Sequence, residues 1–370
     1  MSLSLVLPCY NVMKYLPKCL DSIFKNDCSD IEIVLVNDGS SDDIGGGGLS
    51  QYFNKNNCDH NIEFEYKDAW IKIIHTCNCG VSAARNTGIE NATSDYIVFI
   101  DPDDTVKENY FSTIKAFMTS TSVDVAILGF YQIVEDKDGN VVKEGEVFPQ
   151  KNYISNSVEE TVRTVLPKYL GYSVEDILEW VKSKDAISKR LEWGAVWRNV
   201  YRRDFLNKNQ IRFNPSIRLN EDSMFNAMCF SRAQKIRTLN KGFYCYTIRP
   251  SGAFMKKRDA ELVENKTALL KARSNIVNDL NKRGFDFSVK DYAGSNVMSC
   301  FELIIKMPFS ARRETKKYIR NPIVKESIKA LPFTGRKKVD IPLFALKYDL
   351  QVLMIYAVNL GKLFGVQFRL

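Results

Sequence analysis

The first 125 residues of this 370-residue chain alternate between short apolar runs and segments with helical spacing. Residues 4–8, 31–36 and 96–100 are apolar, rich in Val, Ile and Leu, and short enough to be buried strands. Between them, residues 11–26 carry apolar side chains every three or four positions, and residues 82–90 also have a helical pattern. This alternation predicts a parallel, doubly wound α/β sheet. A chain of this length is also long enough for two domains.

Polar turns follow these apolar runs. Ligands of a doubly wound sheet bind beyond the carboxyl ends of the strands, so we expect the turns to meet at one edge and to form a site. The turns are Pro8-Cys9-Tyr10-Asn11, Asn37-Asp38-Gly39 and Asp101-Pro102-Asp103-Asp104. An aspartate in an Asn-Asp-Gly sequence also suits an ordinary turn.

Three carboxylates, those of Asp101, Asp103 and Asp104, fall within four consecutive positions directly after an apolar run. Like charges at this spacing repel one another unless a positive group lies between them. The pattern therefore predicts a positive partner for the three carboxylates. The alternative interpretation is a turn whose acidic side chains cap backbone N–H groups, with Asp104 capping the following helix.

The composition favours a globular protein of the cytoplasm. Its 45% of hydrophobic and 26% of charged residues are ordinary values for this class. The nine cysteines have no repeating spacing, and the first residues lack the basic and apolar regions of a secretory signal. We therefore expect a reducing compartment and no disulfide framework.

The net charge of +8 is concentrated in the C-terminal part of the chain. Residues 301–370 contain fourteen Lys and Arg but five Asp and Glu, a net charge of +9. Residues 341–368 are strongly apolar, yet the longest run without a charge has twelve residues, short of the roughly 20 that span a bilayer. Three interpretations stay open: a core helix, an interfacial helix with the basic segment on anionic headgroups, or a nucleic-acid contact. The last ranks lowest because no nucleic-acid motif is present, and we expect no nucleic-acid partner.

Six segments, in order along the chain, resemble family 2 glycosyltransferases with the GT-A fold. Four are LSLVLPCYNVMKYLPKCLDSI at 3–23, IEIVLVNDGSSDD at 31–43, GVSAARNTGIENATSDYIVFIDPDD at 80–104 and LNEDSMF at 219–225. Two more, VWRNVYRRDFLNKNQIRFN and YTIRPSGAF, resemble the bacterial polysaccharide branch of that family. The resemblance covers residues 1–255 and implies a donor half at about 1–125 and an acceptor half at about 126–255. A mainly helical, basic region is expected at 256–370.

The resemblance implies inverting transfer of a sugar from a nucleotide-sugar, usually a UDP-sugar, with Mg²⁺ or Mn²⁺. Asp103 and Asp101 would hold that ion against the donor diphosphate, which would supply the positive partner of the three carboxylates. Asp222 would be the general base and Glu221 would orient the acceptor, although acids also suit the start of a helix. The implied nucleotide-sugar contacts are Pro8, Tyr10, Asn11, Asp38, Arg85, Asn86, Asp101, Pro102 and Asp103.

The same resemblance implies a saccharide acceptor linked to a polyprenyl diphosphate, in surface polysaccharide biosynthesis. An enzyme with such an acceptor is expected in the cytoplasm, bound peripherally to the anionic cytoplasmic face of the inner membrane. The basic, apolar C-terminal region fits this location.

Two other function classes fit parts of the pattern. A nucleotidyltransferase also uses acidic residues and Mg²⁺, but it should carry a Gly-rich loop with Arg or Lys after the first strand, and Pro8-Cys9-Tyr10-Asn11 does not. A non-catalytic carbohydrate-binding protein would be indicated by loss of the acidic motifs, which are present. Trp193 and Trp197 suit either a platform for a sugar ring or core packing. Residues 45–48, four glycines, suit a surface insertion better than a phosphate loop, since no Lys follows.

Overall fold

A computed structural model describes residues 1–42, 62–183, 192–250 and 261–363. The glycine run at 45–48 lies outside the described residues. Within them the chain forms eleven strands and fourteen α-helices. The strands are β1 (Leu3–Cys9), β2 (Ile31–Asp38), β3 (Ile62–Tyr66), β4 (Ala69–Thr76), β5 (Tyr96–Phe99), β6 (Thr105–Val106), β7 (Val125–Glu135), β8 (Val141–Val147), β9 (Ile154–Ser155), β10 (Asn199–Arg202) and β11 (Ile236–Ile248).

The helices fall into two groups along the chain, one interspersed with the strands and one following them. The first group is α1 (Leu16–Ile23), α2 (Val81–Asn91), α3 (Tyr110–Thr121), α4 (Val158–Thr164), α5 (Pro167–Leu170), α6 (Val174–Lys182), α7 (Arg203–Lys208) and α8 (Glu221–Phe230). The second is α9 (Leu262–Lys282), α10 (Ala293–Lys306), α11 (Arg312–Ile319), α12 (Pro322–Ala330), α13 (Lys337–Lys347) and α14 (Gln351–Leu363). No helix within the described ranges is both long and apolar enough to cross a membrane.

The strands form one sheet in the order β3-β4-β2-β1-β5-β10-β7-β11-β6, with β8 paired to β7 and β9 to β11. The β1 strand is parallel to β2 and β5, and β2 is parallel to β4. All residues of β1, β2 and β5 are buried, as expected for parallel strands covered on both faces. The predicted parallel α/β sheet is therefore confirmed, and the carboxyl ends of these four strands meet at one edge.

A close helix–strand contact positions α2 beside this edge. A Cβ atom added to Gly88 would lie 2.2 Å from Cγ1 of Val6, so only glycine allows α2 to pack this closely on β1. Because Arg85 lies one turn before Gly88, the close packing of α2 also fixes the height of the arginine above the sheet.

The strand β10 lies in the middle of the sheet and runs opposite to its two neighbours. The β10 strand is antiparallel to both β5 and β7, and it lies between them. It is preceded by a 3₁₀-helix, Val196–Arg198, and followed by α7 and α8. This insertion brings the start of α8 towards the end of β5, although the two are far apart in sequence.

The chain divides into two compact units, Met1–Val165 with Trp193–Lys256, and Leu166–Glu192 with Lys257–Leu370. By this division residues 166–192 group with the C-terminal helices, while the expected transferase domain at 1–255 stays a prediction. The reason is local packing: Arg273 Nε donates to the Leu170 carbonyl (2.8 Å), and the Tyr172 N–H donates to Ser295 Oγ (2.8 Å).

Candidate functional site

The turn after β1 is fastened to the turn after β2. Asn11 has a φ of 53°, and its Oδ1 accepts hydrogen bonds from the N–H (2.8 Å) and the hydroxyl (3.1 Å) of Ser41. In return, the Asn11 N–H donates to Ser40 Oγ (3.1 Å). Pro8 is buried within β1, whereas Tyr10 is 51% exposed. Of these predicted contacts, Tyr10 presents an open aromatic surface and Asn11 holds the edge together.

Asp38, at the end of β2, is buried and holds the loop that begins α2. Its Oδ1 accepts a hydrogen bond from the Cys79 N–H (2.8 Å), and its Oδ2 accepts one from the Gly80 N–H (2.8 Å). Gly80 has a φ of 89°, a backbone conformation that favours glycine. Asp38 therefore has the structural role of a turn residue, and its contact with the nucleotide-sugar stays a prediction.

Asp104 anchors the acidic turn to β11. Its Oδ2 accepts a hydrogen bond from the Tyr244 hydroxyl (2.8 Å), and its Oδ1 accepts one from the Thr247 N–H (2.8 Å). The same Tyr244 oxygen accepts from the Asp101 N–H (3.0 Å). Burial, followed by the charges of Asp103 and Asp101, raises the pKa of Asp104 well above its usual range. The helix-cap interpretation of Asp104 is therefore wrong, because its carboxylate is used by β11.

Asp103 is the most accessible carboxylate of the turn, with 42% of its side chain exposed against 26% for Asp101. Burial and the Asp101 charge raise the pKa of Asp103, and Arg249 lowers it. Arg249 Nη1 donates to the Asp103 carbonyl (2.8 Å) and lies 3.6 Å from its Oδ2, while Arg249 Nε pairs with Glu135 Oε2 (3.0 Å). Its guanidinium also covers the Tyr15 ring at 4.8 Å. Arg249 thus places a positive charge beside the exposed member of the turn.

The Glu221–Asp222 pair occupies the first turn of α8. The backbone at Gly194 packs closely on this turn, since a Cβ atom added to Gly194 would lie 1.9 Å from Ser223 Oγ. The Val196 N–H then donates a long hydrogen bond to Asp222 Oδ2 (3.3 Å). The position of Asp222 is therefore set from both sides, by its own helix and by the 3₁₀-helix that starts at Val196.

Arg85 joins the two acidic motifs. Its Nη1 donates to Asp222 Oδ1 (2.7 Å), and its Nη2 donates to Asp101 Oδ1 (3.0 Å). Glu221 Oε1 lies 3.7 Å from the same Nη1, and the guanidinium covers the Phe213 ring at 5.4 Å. The arginine is buried, with 3% exposure. Arg85 is thus a positive partner of the acidic turn, placed between Asp101 and Asp222.

Burial and neighbouring charges shift the pKa values of Asp222 and Glu221. Burial raises the pKa of Asp222, Arg85 lowers it, and the Asp101 charge raises it again. Burial and the Asp222 charge raise the pKa of Glu221 to about 7. The guanidinium bonds Asp222 directly but lies farther from Glu221, so Asp222 is the member favoured in the ionised form at neutral pH.

Residues 4–178 match the family model described as glycosyl transferase family 2. The chain carries a family 2 glycosyltransferase domain. It is 32% identical over 248 residues to the uncharacterized glycosyltransferase EpsJ of Bacillus subtilis, covering 67% of this chain and 61% of that protein. It is 31% identical over 250 residues to the glycosyltransferase GlyA of Streptococcus pneumoniae, covering 67% of this chain and 30% of that protein. The chain therefore spans less than two thirds of the length of these relatives.

The fold of the transferase also resembles a solved structure. The crystal structure of S. aureus TarS 1–349 in complex with UDP-GlcNAc superposes with a TM-score of 0.57 at 18% identity, covering 100% of this chain and 93% of that one. At this identity the similarity concerns the fold alone. It confirms the predicted class, a GT-A type α/β sheet with a helical C-terminal region.

Two further predicted contacts of the transferase domain have structural partners. The Asn86 Nδ2 donates to the Phe213 carbonyl (2.9 Å), and the Phe213 N–H donates to Asn86 Oδ1 (2.7 Å). Both ends of the amide are thus used to hold the segment before α8, a role that the sequence did not indicate. Arg85 and Asn86 were expected to reach the nucleotide, but the structure shows Arg85 on carboxylates, and nucleotide binding by either stays a prediction.

The two tryptophans considered as a sugar platform differ in exposure. Trp197 is buried and stacks on Tyr244, with ring centroids 4.6 Å apart and planes 7° apart, so its role is core packing. Trp193 is 40% exposed and contacts Tyr246 edge-on. Of the two, Trp193 has the exposed ring, and its role as a sugar platform stays a prediction.

The acidic turn fits a divalent ion that shares its coordination with phosphate. Asp101 and Asp103 lie close enough for the Asp101 charge to raise the pKa of Asp103, so a cation between them would relieve repulsion. Across the described ranges, no group of three or more His, Cys, Asp or Glu side chains is arranged to hold a metal. Two carboxylates suit Mg²⁺, which is commonly bound by one or two carboxylates plus substrate oxygens.

Sequence reasoning missed Arg249, Tyr244 and Phe213 as parts of the site. Arg249 and Tyr244 come from β11 and its end, and Phe213 precedes α8. Phe213 and Arg249 lie in the segments VWRNVYRRDFLNKNQIRFN and YTIRPSGAF, whereas Tyr244 lies outside both. Nothing in those segments alone indicates that either residue faces the acidic motifs.

Proposed function

We propose that this chain is an inverting, metal-dependent glycosyltransferase that moves a sugar from a nucleotide-sugar, a UDP-sugar first of all, to a saccharide acceptor. The observation that carries the proposal is the bridge of Arg85 between Asp222 and Asp101, at the edge of a family 2 domain. It holds a proton-accepting carboxylate and a donor-side carboxylate at a fixed separation. The UDP-GlcNAc complex of TarS, a protein of similar fold, supports the choice of donor.

Asp222 accepts the proton of the attacking acceptor hydroxyl. Its Oδ1 is bonded to Arg85 (2.7 Å), so Oδ2, with a single long bond from the Val196 N–H (3.3 Å), is the receiving atom. The acceptor oxygen forms a bond to the sugar C1, the bond from C1 to the diphosphate oxygen breaks, and its electron pair leaves with the nucleotide. Attack from the face opposite the diphosphate inverts the anomeric centre. Glu221 beside Asp222 orients the acceptor.

Asp103 and Asp101 would hold a divalent ion, Mn²⁺ or Mg²⁺, on the donor side of the site. When bound, that ion neutralises charge on the leaving diphosphate. Arg85 keeps Asp101 in place, and Arg249 adds a positive charge beside Asp103. The remaining nucleotide-sugar contacts are assigned to the edge that carries Pro8, Tyr10, Asn11, Asp38, Asn86 and Pro102.

In this proposal residues 1–255 form the transferase domain, with donor and acceptor halves that meet near residue 125. The acceptor is a saccharide linked to a polyprenyl diphosphate, in bacterial surface polysaccharide assembly. The protein acts in the cytoplasm as a peripheral protein of the inner membrane. The family resemblance and the +9 charge of residues 301–370 support these assignments.

Incubation with a panel of nucleotide-sugars and Mn²⁺ tests the donor assignment. We expect slow hydrolysis of one or more UDP-sugars, suppressed by EDTA, and much slower hydrolysis of GDP-, CMP- and ADP-sugars. A parallel reaction with UTP and sugar 1-phosphates detects pyrophosphate, the product of a nucleotidyltransferase. Pyrophosphate release without nucleotide-sugar hydrolysis would support that alternative, and calorimetry without any nucleotide binding would support a non-catalytic protein.

Labelled transfer to lipid-linked saccharides tests the acceptor. The transferred sugar is expected on polyprenyl-diphosphate saccharides, extracted into organic solvent, and far less on the same saccharides without the lipid. Equal transfer to both would contradict a lipid-linked acceptor while leaving the transferase activity intact.

A further inference from the structure

The last two described helices, α13 and α14, expose apolar side chains on faces that would ordinarily be polar. On α13, Ile341, Phe344 and Tyr348 at its end are 61%, 48% and 60% exposed. On α14, Leu353 and Tyr356 are 66% and 55% exposed, and Leu360 is 41% exposed. Each set follows the spacing of a single helix face. Exposed apolar residues grouped on one face of a helix are typical of an interaction site.

Each of these helices also has a second, buried apolar face. Val339, Leu343 and Leu346 of α13 are buried, as are Ile355 and Val358 of α14. The core-helix interpretation therefore accounts for one face of each helix. It leaves the opposite face, which carries the exposed residues, without an explanation.

Lysines surround the exposed face of α13. Lys337 lies on the same face as Ile341, one turn before it, because residues four apart share a face. Lys338 and Lys347 project to either side of that face, given about 100° of rotation per residue. In the part of the chain that the structure describes, none of these three lysines forms a salt bridge. Lys347 Nζ covers the ring of Phe333, itself 49% exposed, at 5.0 Å.

Several acidic residues of the second unit have partners within it. Lys325 pairs with Asp349, and Glu302 pairs with both Lys266 and Lys306. Asp340 accepts hydrogen bonds from the N–H groups of Thr334 and Gly335. Since the described residues provide no ion-pair partner for Lys337, Lys338 or Lys347, these side chains are available to an external partner.

We propose that the exposed faces of α13 and α14, with Lys337, Lys338 and Lys347, are a docking surface for the anionic headgroups and upper acyl region of a lipid bilayer. An interfacial helix combines apolar residues on one face with basic residues at its border, which is the arrangement found here. Aromatic side chains such as Phe344, Tyr348 and Tyr356 suit the headgroup boundary, where one end is apolar and the other wet.

The charge of the surface favours a lipid bilayer over a second copy of the chain as its partner. A two-fold symmetric dimer through this surface would place the same unpaired lysines opposite one another, and like charges across an interface cost affinity. An anionic bilayer satisfies the apolar and the basic side chains together. The surface is separate from the transfer chemistry, so binding to vesicles is measured without any sugar substrate.

Co-sedimentation of the full chain with vesicles tests the proposal. Vesicles of phosphatidylcholine with one third phosphatidylglycerol should pellet the protein at low salt, and pure phosphatidylcholine vesicles should not. High salt should release part of the bound protein, because screening weakens the contribution of the lysines. Failure to pellet with the anionic vesicles at low salt would overturn the proposal.

Two surface variants locate the contact. The double variant Ile341→Gln/Leu353→Gln should lower the vesicle partition coefficient by about tenfold or more, because two apolar side chains lose their burial in the bilayer. The double variant Lys337→Gln/Lys338→Gln should lower it by about fivefold per lysine at low salt. All four residues are exposed, so circular dichroism should show unchanged folding.

Matched variants on the first unit serve as controls. Val142→Gln removes an apolar side chain that is 62% exposed, and Lys137→Gln/Lys143→Gln removes two exposed lysines. These controls should bind vesicles as the unchanged protein does. Equal binding by Ile341→Gln/Leu353→Gln would show that α13 and α14 are not the contact. Loss of a dimer in light scattering, without vesicle binding, would assign the surface to self-association instead.

Discussion

The edge of the sheet, where Arg85 meets the two acidic motifs, and the basic surface, formed by the exposed faces of α13 and α14 with their lysines, use charge in opposite ways. At the edge, Arg85 is buried and its charge is divided between Asp101 and Asp222. On α13, Lys337 and Lys338 are exposed and form no salt bridge within the described residues. Buried charges with partners fix geometry, because moving one leaves another uncompensated. Exposed charges without partners fix little, but they are available to bind a surface of opposite sign.

The same contrast applies to aromatic residues. Tyr244 is buried, and its hydroxyl joins the backbone of Asp101 to the carboxylate of Asp104. Tyr348 is 60% exposed, and its ring contacts Phe344 at 4.4 Å. A change at the edge should therefore affect chemistry and stability, whereas a change on the basic surface should affect binding alone.

The largest effect is expected for Asp103→Ala. Transfer should fall to background, and metal-dependent binding of UDP should weaken greatly, because the most accessible carboxylate of the acidic turn is removed. Calorimetry with UDP, with and without EDTA, measures this. The control is Asp138→Ala, an exposed aspartate in the turn between β7 and β8. Binding of UDP that is insensitive to both EDTA and Asp103→Ala would rule out the metal role.

The next largest effect is expected for Asp222→Asn. Loss of a general base should lower the transfer rate by about 10²–10⁴-fold. Affinity for the nucleotide-sugar should stay within a few-fold, since the donor-side carboxylates are unchanged. Steady-state transfer to the true acceptor and calorimetric donor binding separate the two quantities. A near-normal rate for Asp222→Asn would reduce Asp222 to an acid at the start of a helix.

Arg85→Lys should change the pH dependence of transfer. Arg85 lowers the pKa of Asp222, and a lysine ammonium does not reach both Asp222 and Asp101 with the geometry of a guanidinium. The pKa of Asp222 should therefore rise, and the acidic limb of the rate profile should move to higher pH by about one unit. Rates measured from pH 5.5 to 9 test this. Arg212→Lys, on a partly exposed arginine, is the control, and an unshifted limb would contradict the bridge.

The smallest effect compares two tyrosines. Tyr244→Phe should lower the free energy of unfolding by about 1–3 kcal/mol, because it leaves the Asp101 N–H and the Asp104 carboxyl without their shared hydroxyl. Tyr348→Phe removes a hydroxyl from the exposed basic surface and should change the unfolding free energy by less than about 0.5 kcal/mol. Denaturant unfolding of both variants measures the difference. Equal losses of unfolding free energy would mean that the Tyr244 hydroxyl stabilises the fold no more than the exposed Tyr348 hydroxyl does.

The sheet could be predicted where the pattern is local. Residues 4–8, 31–36 and 96–100 are continuous apolar runs, and they became β1, β2 and β5. The four residues of β10 carry no such pattern, and their place between β5 and β7 depends on partners elsewhere in the chain. Because this strand pairing joins residues far apart in sequence, the local pattern of residues 199–202 does not predict the position of β10.

The site could be predicted as a set of residues but not as a set of contacts. The motifs identified Asp101, Asp222 and Arg85, yet Arg85 was expected on the nucleotide. It is 16 residues from Asp101 and 137 from Asp222 in the sequence. Which side chains an arginine on α2 meets depends on where α8 is placed, and that placement follows from packing at Gly194 and from the insertion of β10.

If Asp38 contacts the nucleotide as proposed, it ties the choice of nucleotide to the position of Arg85. Its two oxygens hold the backbone of Cys79 and Gly80, and α2, which begins there, carries Arg85. A substitution at Asp38 that altered base preference would also release the start of α2 and shift the guanidinium. New donor specificity at this position would therefore arise only together with a compensating change in the Cys79–Gly80 turn, so these positions should vary as a group among relatives.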